Sequence, residues 1–139
     1  SGVAGANGKV AKVVKSATAE LWAGTTVSTG ANDSIATLPF SATAKTMTLR
    51  VWTPAAGIPV RLKVEDAANG ARSVETEAVT TVANGWETLT FNFANQAAGT
   101  AALNLSFTYN KASVFFNFGK TGAAGGAGTY YFDDLNFMP

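Results

Sequence analysis

Residues 46–65 read TMTLRVWTPAAGIPVRLKVE, and this stretch decides the fold. In its first half Met47, Leu49 and Val51 alternate with Thr48, Arg50 and Trp52. In its second half Val60, Leu62 and Val64 alternate with Arg61, Lys63 and Glu65. Successive residues of a strand point to opposite faces, so each half reads as a strand with one apolar and one polar face. Pro54-Ala-Ala-Gly57 between them is turn chemistry. The pattern continues outward. Val74, Thr76 and Ala78 alternate with Ser73, Glu75 and Glu77, and the sets Leu89-Phe91-Phe93, Val114-Phe116-Phe118 and Leu135-Phe137 extend the apolar face. No window of about twelve residues carries a helical apolar stripe. Strands are expected over 9–15, 19–26, 34–40, 46–53, 59–65, 73–80, 87–93, 102–107, 113–118 and 130–137, one or two of them surplus. Short strands at this spacing predict an all-β, two-sheet antiparallel β-sandwich of the jelly-roll kind, with residues 1–139 forming a single domain.

Composition narrows function. Only 14% of the 139 residues are charged and the net charge is +1, so no basic stripe exists to track phosphates and nucleic acid is not an expected partner. Cysteine and histidine are both absent. That removes disulfides, thiolate chemistry, histidine-rich metal sites and every Ser-His-Asp or Cys-His nucleophile. No apolar run reaches the ~18 residues of a spanning helix, and the opening residues lack the charged-then-apolar layout of a signal peptide. The expectation is a mature or excised module of a secreted, extracellular protein, with no membrane partner.

The residues able to carry chemistry are aromatic and charged. If the strands around 50, 63 and 75 are neighbours in simple register, one outward face combines Arg50 and Trp52 with Lys63, Glu65 and Glu75. A sugar ring stacks its CH face on an indole and exchanges hydrogen bonds with such a rim. The other reading of that face is a solvated surface of cross-strand ion pairs. Trp22, set among small residues in Leu21-Trp-Ala-Gly-Thr-Thr26, is either a stacking platform near a strand end or a core ring under a loop. Trp86 follows Asn84-Gly85 where a ring is expected to plug the end of the sandwich. Phe115 and Asn117, off the core parity, extend a binding surface or lie under the glycine-rich stretch 119–128. Asp133 and Asp134 are adjacent and so point to opposite faces, which prevents them from flanking one glycosidic bond. Parity sends Asp133 inward with Tyr131, Leu135 and Phe137, where backbone amides or a calcium ion would satisfy it. Asp134 points outward as a ligand-binding candidate. Glu75 and Glu77 share a face at i and i+2, but nothing around them suggests a cleft or a raised pKa. No catalytic residue is assigned and no enzyme activity is expected.

Three segments carry a resemblance: Trp22-Ala-Gly-Thr-Thr26, the stretch from Leu49 to Asp66, and the closing Tyr130-Tyr-Phe-Asp-Asp-Leu-Asn-Phe137. From Val10 to Phe137 the chain resembles the non-catalytic carbohydrate-binding modules of the jelly-roll type appended to bacterial polysaccharide hydrolases. The resemblance implies a β-glucan ligand, with β-1,3-glucan (laminarin) foremost, and an attached glycoside hydrolase. It also implies a structural calcium on the first Asp of the closing pair, here Asp133. A structural or adhesive domain without a sugar ligand is the alternative.

Overall fold

The structure, a computed structural model, describes residues 8–138. Most of the opening stretch read above therefore lies outside the described residues. Strands form where alternation is strongest: β1 Ala11–Lys15, β2 Thr25–Val27, β3 Thr46–Thr53, β4 Pro59–Asp66, β5 Asn69–Val79, β6 Gly85–Asn92, β7 Lys111–Phe116 and β8 Gly128–Met138. They pair antiparallel into two four-stranded sheets, ordered β1-β8-β3-β6 and β2-β7-β4-β5. Consecutive strands of the first half alternate between the sheets, and the later ones return beside them. This is the jelly-roll winding of a β-sandwich.

Between the sheets lie the apolar sets expected from parity. Met47, Leu49 and Val51 of β3, Leu89 and Phe91 of β6 with Phe93 beyond its end, Val60, Leu62 and Val64 of β4, Val74 of β5, and Val114 and Phe116 of β7 are buried together. Each contributes roughly 1.5–3 kcal/mol on burial. Phe40 closes one end, edge-on to Phe93, Tyr109 and Phe137 at 5.2–5.6 Å.

Three expectations about strands change. Residues 34–40 stay irregular, tied down by Ile35 N donating to Asn110 O and Leu38 N donating to Tyr109 O. Residues 102–107 form no strand and turn at 105–106, and the 19–26 strand shrinks to Thr25–Val27. Parity itself resets twice. Asn117 and Asp134 both have left-handed backbones, with φ of 55° and 51°, a conformation that Asn and Asp adopt more readily than other non-glycine residues. Beyond Asn117 the ring of Phe118 leaves the core file and lies under the Arg61 guanidinium, 3.7 Å from its Cζ. At Asp134 a bulge shifts the β3–β8 register between Thr48 and Arg50. Tyr130 and Phe132 therefore face inward before it, and Leu135 and Phe137 after it. Tyr131 and Asp133 are thrown to the outer face, which corrects the inward placement expected for both.

Candidate functional site

The connection 54–58 carries the chain from one sheet to the other, so β3 and β4 are not neighbours. Arg50 and Trp52 thus lie on the outer face of the first sheet. Lys63, Glu65 and Glu75 lie on the outer face of the second, and the single five-residue face expected from the sequence does not exist.

The second sheet's outer face satisfies its own charges. Arg61 donates to Glu77 Oε2 at 2.9 and 3.1 Å and to Glu75 Oε1 at 3.3 Å. Lys63 reaches Glu65 at 2.9 Å and Lys111 reaches the same carboxylate at 3.4 Å. Glu75 and Glu77 are thus both held by one guanidinium. Phe115 stands on this face beside Phe118, their centroids 5.7 Å apart. Its ring fills the space over Gly24, where an added Cβ would fall 2.3 Å from Cδ1. This is a cross-strand ion-paired arrangement, with the Arg61, Glu75 and Glu65 side chains only 12–18% exposed.

The first sheet's outer face is different in kind. Alternating with the buried core residues, β3 presents Thr46, Thr48, Arg50 and Trp52, and β6 presents Trp86, Thr88, Thr90 and Asn92. Arg50 is the one charged residue among them. Register aligns the aromatics: Trp52 faces Trp86 across one ladder and Tyr131 of β8 across the other, so three rings form a row over three adjacent strands. Trp52 and Tyr131 meet edge to face at 5.6 Å and 83°. The Arg50 guanidinium lies 4.5 Å over the Trp86 ring, and Thr88 and Asp133 flank Arg50 in register. Trp86 Nε1 is buried with no acceptor among the described residues.

Trp86 and Tyr131 were missed by the sequence reading, one as a plug and the other as core. The alternation Trp86-Glu-Thr-Leu-Thr-Phe-Asn92 did contain the signal for the first. Glu87, whose parity is inward, turns its carboxylate to the end of the sandwich and accepts from Thr81 N, Val82 N and Thr81 Oγ1 at 2.7–3.2 Å. Trp86 is thereby left on the outer face.

The remaining candidates scatter. Trp22 is 63% exposed in the β1–β2 crossover, which leaves β1 at the end of the sheet where the aromatic row lies. Asn117 is buried, its Nδ2 donating to Tyr130 Oη at 3.3 Å and its carbonyl accepting from Lys15 Nζ at 2.9 Å. Asp134 is exposed at the bulge, its carbonyl accepting from Asn136 Nδ2.

The register partner of Asp133 is the cation Arg50, and the described residues gather no group of three or more His, Cys, Asp or Glu. A calcium ion wants several oxygen ligands with compensating negative charge. Calcium held by Asp133 with backbone carbonyls would raise the melting midpoint by several degrees over that measured with a chelator. Coinciding midpoints would leave Asp133 without a metal role.

Lys15 is buried at 4% exposure, with Phe116 O and Asn117 O as its acceptors. Desolvation lowers its pKa below the ordinary lysine value. The unfolded chain then holds more protons than the folded one between the lowered value and about 10.4, so stability rises with pH across that window. Denaturant melts between roughly pH 8 and pH 10 should show the native chain gaining on Lys15→Met as pH rises. A pH-independent difference between the two would contradict the assignment.

No family model matches the chain, and no curated protein matches it.

Proposed function

We propose that this protein is a non-catalytic carbohydrate-binding module that holds a polysaccharide on the outer face of its first sheet. The observation that carries this reading is the row Tyr131–Trp52–Trp86, aligned across three strands on a face whose other outward residues in β3 and β6 are threonines, one asparagine and one arginine. Aromatic rings take the CH faces of sugars, while hydroxyl, amide and guanidinium groups exchange hydrogen bonds with the sugar rim. The ion-paired second sheet offers no such surface. The segments quoted above favour β-1,3-glucan as ligand and a secreted setting beside a glycoside hydrolase. The sequence holds no histidine and no cysteine, which is in keeping with binding without cleavage.

Native gels cast with laminarin, mixed-linkage glucan, xylan, agarose or alginate test this reading. Retardation in laminarin, without new reducing ends on incubation, is the expected result. Migration unaffected by every polysaccharide would favour a structural or adhesive domain instead, and new reducing ends would make the protein an enzyme.

A further inference from the structure

The aromatic row occupies one end of β6, and the other end opens into a groove. β5 and β6 are edge strands of opposite sheets, and a hollow of about 430 Å³ lies between them. Thr90 and Asn92 of β6, Glu77 and Thr76 of β5, Asn95 of the following loop and Arg61 line it. Its walls are fixed. Thr76 Oγ1 donates to Asn95 O at 2.8 Å and to Asn92 O at 3.3 Å, and Ala97 N donates to Glu75 O at 2.7 Å, which seats the loop on the β5 edge.

The chemistry of this groove selects its ligand. The Asn95 side-chain amide and the Thr90 hydroxyl make no hydrogen bond among the described residues, so both remain for a ligand; the Asn95 backbone N–H is taken by Asn92 O at 3.0 Å. The charge of Arg61 is met by Glu75 and Glu77, and both bonds to Glu77 fall on Oε2, leaving Oε1 as an acceptor. Neutral donors and acceptors beside a compensated cation suit hydroxyls, which both donate and accept. They do not suit a carboxylate or phosphate, which would need an unspent positive charge.

Thr90 and Asn92 also belong to the same outward file as Trp86 and Thr88. Asn92 lies six steps along the strand from Trp86, about 20 Å at the usual rise. We propose that the groove is a second subsite of one binding track, running along β6 from the aromatic row to Asn95. The track takes an extended neutral glycan and discriminates against uronate-containing chains. The inference rests on the carbohydrate-binding reading and adds its ligand class and chain-length requirement.

The double variant Thr90→Val/Asn95→Ala separates the two. Neither side chain makes a protein hydrogen bond, so folding should survive, as a wild-type melting curve would verify. Calorimetric titrations with laminaribiose, laminarihexaose, xylohexaose and a guluronate hexamer then read the track. The wild type is expected to bind a neutral hexaose at least tenfold more tightly than the biose and to ignore the guluronate. Losing two neutral hydrogen bonds should weaken hexaose binding about tenfold and leave biose binding unchanged. Unchanged hexaose binding in the double variant, or tight guluronate binding in the wild type, overturns the track while leaving the aromatic face in place. Failure of the wild type to bind either neutral hexaose overturns both.

Discussion

Replacing Trp52 by alanine is expected to weaken polysaccharide binding about thirtyfold or more, the loss of roughly 2 kcal/mol that marks a central aromatic contact. The fold should tolerate the change. Trp52 is half-buried on an outer face, outside the core cluster between the sheets. The protein contact it loses is the edge-to-face packing on Tyr131, worth about 1 kcal/mol, so the midpoint should fall by only a few degrees. Binding isotherms and melting curves on the same preparation check both halves. A variant that unfolds would make Trp52 a structural residue, and a folded variant with native affinity would remove this face from the site.

The largest effect on stability is expected from Gly122→Ala. Gly122 N donates to Ala19 O at 2.8 Å, which presses the Gly122–Gly126 turn against the β1–β2 crossover. A Cβ there would fall within 1.9 Å of Ser16 O and 2.7–2.8 Å of Ala17 backbone atoms. Backbone cannot swing aside as a side-chain tip can, so the two segments must separate. Overpacking of this kind costs about 3 kcal/mol, which corresponds to a midpoint lower by about 10 °C. Gly70→Ala is the control: nothing lies within 4 Å of its added Cβ, and the change should stay within about 0.5 kcal/mol. Equal midpoints for the two variants would show that the turn is not docked as described. Because the crossover carries Trp22, limited proteolysis of Gly122→Ala should also expose residues 16–24 to cleavage.

Alternation made the sandwich and its core legible. Met47, Leu49, Val51, Val60, Leu62, Val64 and Val74 are buried where period two put them, because a residue's face in a continuous strand is a local property. What failed was non-local or conformational. Which strands are neighbours depends on whether a connection turns back within a sheet or crosses the sandwich, and Pro54-Ala-Ala-Gly57 does not encode that choice. Arg50 and Trp52 were for this reason grouped with Lys63, Glu65 and Glu75, which decorate the other sheet. The second failure sits at Asn117 and Asp134. Both residue types visit the left-handed region without glycine's help, and one such residue sends every later side chain to the opposite face. That is how Tyr131 and Asp133, counted backward from Leu135 and Phe137, were placed in the core. The aromatic row was consequently invisible, although all three of its members had been read as residues of strands or their ends.

The chain has three tryptophans, so their indole N–H signals offer the most direct test of where a glycan sits. Titrating the isotope-labelled protein with laminarihexaose, with signals assigned through single Trp→Phe variants, should shift the Trp52 and Trp86 resonances progressively and together. Binding on the outer face of the first sheet is contradicted if neither moves, or if Trp22 alone responds. In the latter case the crossover loop, rather than the outer face of the first sheet, would be the binding site.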